Sequence, residues 1–203
     1  MVKKRRPHDE VRPAVVAAAL EAIAHGGLPA LSARGLASAV DISVGTIYNL
    51  FGDLDGVIRA VNLDTLHRMY QQFTTAVDGA GEKPEARLIA LADAYLDFAR
   101  AAPHRWQALF QYRFAMLGDD DRVGTAEADL FALLSRAAKG TGTPDALRAL
   151  WAAVHGVVDL TVSERLRGMT RMDARKYVHL IIRAGVRGFA ALEGKPDAKH
   201  AAP

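Results

Sequence analysis

The chain has 203 residues, half of them hydrophobic and none cysteine, with a formal net charge of +3. Its length suffices for one or two domains with real cores, and the lack of thiols excludes disulfides, cysteine nucleophiles and thiolate metal sites. The charge is modest for a nucleic-acid binder, but Lys3, Lys4, Arg5, Arg6 and Arg12, set against Asp9 and Glu10, leave the first twelve residues with all of the +3. Ala, Leu, Arg and Val dominate, as suits an all-helical protein. A basic start before the apolar run 14–20 has the outline of an export signal. Asp9, Glu10 and Arg12 interrupt it, and Glu21 and His25 cut it short, so it is not read as one. No apolar stretch reaches membrane-spanning length, and a cytoplasmic protein with no membrane partner is expected.

Residues 1–8 read as a disordered arm. Lys3, Lys4, Arg5 and Arg6 can lie along a phosphate backbone or reach into a minor groove; a solvated, frayed terminus is the plain alternative. A first helix is predicted over 9–25, with Asp9 as cap and Glu10 in the first turn. Pro13 is tolerated only near a helix start, which moves the expected beginning toward Arg12. Val16, Ala19, Leu20 and Ile23 make its apolar stripe, and Gly26-Gly27 ends it.

Residues 32–56 predict two short helices joined by a tight turn. Ser32 caps the first, whose buried face is Leu36, Ala37 and Val40. Asp41 breaks the pattern, being a residue that tolerates the left-handed conformation. Ser43 caps the second, its oxygen within reach of the Gly45 or Thr46 amide. Ile47, Leu50 and Phe51 form the inner face. Ser43, Val44, Gly45, Thr46, Tyr48 and Asn49 are left looking outward or sideways. Small, hydroxyl-bearing and phenolic groups at an exposed helix start suit a surface that enters the major groove and touches phosphates. An ordinary helical hairpin with solvated side chains has the same spacing.

The run Ile42-Ser43-Val44-Gly45-Thr46-Ile47-Tyr48-Asn49-Leu50-Phe51, with Asp53-Leu54-Asp55 after it, resembles the DNA-binding motif of the TetR family of bacterial transcriptional regulators. The likeness is close over about the first 60 residues and looser, by helix layout, to the C-terminus. It implies an all-α fold of about nine helices: an arm and three-helix helix-turn-helix domain over 1–52, a helical ligand-binding and dimerisation domain over 53–194, and a disordered tail over 195–203. It also implies DNA contacts from Arg12, at the start of the buttressing first helix, and from Ser32, Ser43, Val44, Gly45, Thr46, Tyr48 and Asn49. Three positions depart from the family pattern. Leu50 stands where His is usual, Leu54 where a phosphate-binding Lys is usual, and Asp41 where Gly is frequent. The missing Lys beside Asp53 and Asp55 shifts the expected phosphate contacts toward the arm, Thr46 and Tyr48.

Asp53 is predicted to cap a long helix over 54–77, which in the resembled family links the two domains. Residues 78–84 read as a loop. Pro84 opens a helix to about residue 102, with Leu88, Leu91, Ala92, Tyr95, Leu96 and Phe98 as its apolar face. Pro103 breaks it. The stretch 104–116 is dense in Trp106, Leu109, Phe110, Tyr112, Phe114 and Met116. Residues 118–124 read as a surface loop; Asp119, Asp120 and Asp121 lack the spacing of a calcium loop. A helix over 125–139 follows, with Leu130, Phe131, Leu133 and Leu134 inward, then a loop over 140–143. Two long helices, 144–167 and 173–193, finish the chain. In the resembled family such a pair forms a four-helix homodimer interface, and Gly185 and Gly188 allow close helix approach. Trp151, His155 and Gly156 resemble the Trp-His-Gly signature of one group of C-terminal domains. The candidate effector pocket is Tyr70, Phe73, Phe98, Trp106, Phe110, Phe114, Trp151, His155 and Asp159, although aromatic stripes at helical spacing also build ordinary cores.

The reading that follows is a homodimeric, sequence-specific DNA-binding regulator in the cytoplasm, at the nucleoid when bound. It would be a repressor released from a palindromic operator by a small hydrophobic effector, with no catalytic residue, metal or cofactor. The alternative is a small helical metalloprotein or enzyme built on His155, Asp159 and Glu164, since His155 and Asp159 share a helix face.

Overall fold

The computed structural model of the protein describes residues 8–111, 122–165 and 171–193. Among them the chain is all-helical, with nine α-helices and no strand. The helices are α1 (His8–Gly26), α2 (Ala33–Val40), α3 (Val44–Phe51), α4 (Leu54–Gly79), α5 (Pro84–Ala101), α6 (Pro103–Gln111), α7 (Arg122–Ala138), α8 (Pro144–Val162) and α9 (Arg171–Glu193), with a 3-10 turn at Leu28–Ala30. None of the described helices is long and apolar enough to cross a membrane. Residues 1–7 of the predicted arm, Tyr112, Phe114, Met116, the three aspartates, residues 166–170 and the tail lie outside the described residues, while residue 8, expected in the arm, opens α1.

The chain divides into two compact units, Met1–Arg68 with Ala101–Ala126, and Met69–Arg100 with Glu127–Pro203. The boundary expected at residue 52 thus falls inside the first unit. Val57, Ile58 and Val61 of α4 and Ala108 of α6 bury in one core with α1, α2 and α3, so the helix-turn-helix takes in chain from well beyond its own sequence.

In the first unit α1 buries Val11, Val15, Ala19 and Ile23. The stripe is rotated from the predicted one: Val16 and Leu20 are only half-buried. The helix starts at His8 and runs through Pro13, which is exposed and lies close enough to the start to remove a single bond. Local chemistry then sets the turn. Ser32 Oγ accepts from the Gly35 amide at 3.1 Å and so caps α2. Asp41 is left-handed (φ 61°), and the Ile42 amide closes back on Ala37 O at 2.9 Å, so an aspartate performs the turn where glycine is frequent. Ser43 Oγ accepts from the Thr46 amide at 3.1 Å and starts α3, and Gly52 (φ 81°) stops it. Asp53 Oδ1 accepts from the Gly56 amide at 2.6 Å and starts α4. Ile47 and Phe51 bury; Leu50 is half-buried. Each fully buried aliphatic in this core is worth about 1.5–3 kcal/mol over leaving it in water.

In the second unit α5 buries Leu88, Ala92, Tyr95, Leu96 and Phe98, and α8 buries Leu147, Leu150, Val154 and Val158. Helix α9 presents three faces. Ala174, Val178, Ile182 and Phe189 are buried. Arg175, His179 and Arg183 pair with carboxylates of α5: His179 Nε2 lies 2.9 and 3.0 Å from the two Asp93 oxygens, and Arg175 reaches Asp93 at 3.1 Å and Asp97 at 2.5 Å. Tyr177 and Leu180, 43% and 62% exposed, lie on the third. Residues 122–124, which belong to the first unit and were predicted as loop, open α7 instead, because Val123 is buried.

Candidate nucleic-acid interface

The interface centres on the first turns of α3. Ser43 is exposed, and its hydroxyl pairs with the Thr46 hydroxyl at 2.9 Å as well as with the Thr46 amide. The two side chains therefore hold one another in place beside the free amides that every helix start carries. Gly45 and Asn49 are exposed, Val44 and Thr46 half-buried, and Tyr48 is 47% exposed although it follows the fully buried Ile47. An aromatic ring with a hydroxyl, two aliphatic hydroxyls and helix-start amides on one short helix suit phosphate and base-edge contact. Ser32 is exposed at the start of α2, next to Arg34, an exposed cation that helix spacing did not single out. Charge without a paired carboxylate in its own turn was the available signal. Lys3, Lys4, Arg5 and Arg6 lie outside the described residues.

Arg12 is placed differently from the rest. Its guanidinium is turned onto the protein, with Nη1 donating to Leu50 O at 2.7 Å and Cζ standing 4.4 Å from the Phe51 ring centroid. Leu54, where the family pattern has a basic residue, packs partly buried against the core of the first unit, as does Leu50.

The effector candidates separate. In the second unit six rings follow one another: Phe98, Phe73, Tyr95, His155, Trp151 and Phe131. Phe73 meets Phe98 and Tyr95 edge-on at 6.4 and 5.9 Å, and Trp151 meets Phe131 edge-on at 5.5 Å. The His155 ring stacks on Tyr95 at 6.2 Å and on Trp151 at 5.1 Å, and its Nδ1 shares a hydrogen bond of 2.7 Å with the Tyr95 hydroxyl. Burial pushes the imidazole below its ordinary pKa, against a smaller pull upward from Asp159. Tyr95 and Phe131 were predicted inward but not as part of this set; Tyr95 is buried and is its polar hinge, whereas Phe131 is 37% exposed, its ring packing on Trp151 near the surface. Tyr70 and Asp159 are half-buried in the same unit, with Asp159 3.9 Å from Arg165. Trp106 and Phe110 belong to the first unit, where they pack on each other at 4.8 Å. Trp106 is fully buried. Phe114 lies outside the described residues. Among the described residues no three His, Cys, Asp or Glu side chains converge, so His155, Asp159 and Glu164 do not form a metal-ligating group.

Comparison with known proteins gives matches over both parts of the chain. Residues 15–61 match the family model described as bacterial regulatory proteins, tetR family, and residues 88–185 match the tetracyclin repressor-like C-terminal domain. The HTH-type transcriptional regulator BetI of Burkholderia mallei (strain NCTC 10229) is 33% identical over 89 residues, covering 43% of this chain and 46% of that protein. The match thus spans about half the length of the curated relative. The uncharacterised HTH-type transcriptional regulator Rv0681 of Mycobacterium tuberculosis is 26% identical over 163 residues, covering 78% of this chain and 73% of that one. The crystal structure of a TetR transcriptional regulator from Rhodococcus sp. RHA1 superposes with a TM-score of 0.68 at 18% identity, over 88% of this chain and 97% of that one, a likeness of fold.

Proposed function

Since the chain belongs to the TetR family of bacterial regulatory proteins, we propose that it is a homodimeric, sequence-specific DNA-binding transcriptional regulator that inserts α3 into the major groove of a palindromic operator. The observation that carries this reading is the start of α3: a capped, rigid first turn with Thr46 and Ser43 locked together and Tyr48 exposed one turn further on. A two-fold dimer presents two such helices about 35 Å apart, matching successive major grooves. The dimer forms through α8 and α9. Tyr177, Leu180, Ala184 and Gly188 make an exposed, largely apolar stripe along α9, and Ala149, Ala152, Ala153 and Trp151 are exposed on α8. Apolar helix faces of this kind are covered by a partner.

A small hydrophobic effector held against the rings of the second unit releases the protein from DNA, making it a repressor. Six rings with one hydroxyl–imidazole pair among them suit an apolar or aromatic ligand with a single polar group. Its leverage equals its differential affinity for the two conformations and no more. The protein acts in the cytoplasm and is not an enzyme.

The test is binding of the purified protein to the intergenic DNA upstream of its own coding sequence, at about 0.15 M salt, against a scrambled duplex. Two protomers per preferred duplex are expected. Tyr48→Ala is expected to weaken that binding about tenfold or more while leaving the melting temperature unchanged, since the side chain contributes little to the core. No preference for that fragment, followed by none from a random-sequence selection, would sink the reading.

A further inference from the structure

Arg12 sits early in α1 and was expected at the backbone of DNA, yet its guanidinium meets the last turn of α3: the carbonyl of Leu50 and the ring of Phe51. The carbonyls of a helix's last turn have no intrahelical donors and form the negative end of its dipole. A guanidinium answers both conditions, by hydrogen bond and by charge, and its flat face rests on an aromatic ring as an ammonium cannot. The rest of this turn is gripped as well. The Gly52 amide donates to Tyr48 O at 2.8 Å. A Cβ at Gly56 would stand 1.9 Å from Phe51 O, so the start of α4 lies directly against the end of α3. Arg59 pairs with Asp53, the cap of α4, at 3.6 Å. Helix α3 has eight residues, about two turns, and a helix so short has no stability of its own. Its direction is therefore set by what holds its ends.

We propose that Arg12 is a positioning residue, a strut from α1 that holds the C-terminal end of α3 and thereby sets the angle at which Val44, Thr46 and Tyr48 meet DNA. The inference rests on the DNA-binding reading of α3, and it gives Arg12 a role that a phosphate contact does not reproduce. A phosphate contact acts on all sequences alike and adds to the salt dependence. A strut acts on the fit of α3, hence on the preferred sequence, and leaves the salt dependence as it was.

Two variants separate the roles. Arg12→Met removes the donor and the charge at similar length; Arg12→Lys keeps the charge and loses the flat face. The full-length protein and both variants are titrated with operator and scrambled duplex across a range of salt, and amide hydrogen exchange is measured at residues 48–52 of the free protein. The expected result for Arg12→Met is a roughly tenfold loss of operator affinity, little change on scrambled DNA and an unchanged salt slope. Exchange at 48–52 should rise about tenfold with α9 unaffected. Arg12→Lys should stay closer to Arg12→Met than to the parent. Equal losses on both duplexes, a slope lower by about one and full rescue by lysine would make Arg12 a phosphate contact and overturn the proposal. If the parent protein prefers no duplex, the DNA reading fails separately, and exchange decides for Arg12 alone: faster exchange supports the strut, unchanged exchange overturns it.

Discussion

A side chain at Gly45 would meet only Ser43 Oγ, at 3.6 Å, an ordinary contact, and the backbone there is helical. Glycine inside a helix is less favourable than alanine by about 1 kcal/mol, so the free protein gains nothing from it. A surface that approaches the backbone from outside does. Gly45→Ala should therefore raise stability by roughly 0.5–1 kcal/mol and weaken operator binding in the same variant. Melting curves and DNA titrations check both signs, and unimpaired binding would mean that DNA does not approach this turn. His155 carries a second residue-level consequence. Burial lowers its pKa in the folded chain, so the unfolded chain takes up a proton near pH 6.5 that the folded one resists. The associated stability is complete above about pH 6.5 and is lost as pH falls toward the lowered folded value. His155→Gln, measured by melting temperature between about pH 7 and 5, should flatten that decline; an identical profile would mean that the ring takes up its proton in the folded state as readily as in the unfolded one.

At the scale of elements, α9 separates two glycines one turn apart. A Cβ at Gly185 would come within 2.7 Å of Leu150 Cδ1, whereas one at Gly188 would meet nothing within 4 Å. Gly185 thus serves the packing of α8 on α9 within a protomer. Gly188 lies on the exposed stripe with Leu180, the face proposed above for the partner. Gly188→Arg should leave helicity and protomer fold intact and lower the mass in solution toward that of a monomer, by light scattering. Gly185→Ala should lower stability by roughly 1 kcal/mol, since a leucine methyl must move, and leave the mass unchanged. A dimer that survives Gly188→Arg would place the interface elsewhere. The elements most legible in the sequence were α2, the turn and α3. Ser32, Asp41, Ser43, Gly52 and Asp53 each do what their side chains or backbone allow within three or four residues. Helix α1 was less so. Val16 and Leu20 fit an apolar stripe as well as Val11 and Val15 do, and only the packing of α2, α4 and α6 against α1 chooses between them.

At the scale of the whole molecule, the formal charge of +3 sits entirely in the first twelve residues. Removing Lys3, Lys4, Arg5 and Arg6 should therefore weaken binding to operator and scrambled DNA alike and flatten the salt dependence by about one unit of slope per lost phosphate contact. A loss confined to the operator would show instead that the arm reads bases. The chain's division into two units has no counterpart in the pattern of apolar residues along it, since α4, a continuous helix, contributes to both.

Read alone, the amino-acid sequence was enough for the helical class, the cap–turn–cap of the helix-turn-helix, the outward placement of Tyr48 and the family. Those features depend on hydrogen bonds and periodicities that span a few residues. Tertiary structure was needed to turn Arg12 from solvent onto Leu50 and Phe51, to bring Trp106 into the first unit and His155 into a stack between Tyr95 and Trp151, and to set Gly185 against Leu150. Each of these is a contact between residues distant in the chain, and a side chain's partner across such a distance is set by how helices pack, which local spacing does not encode.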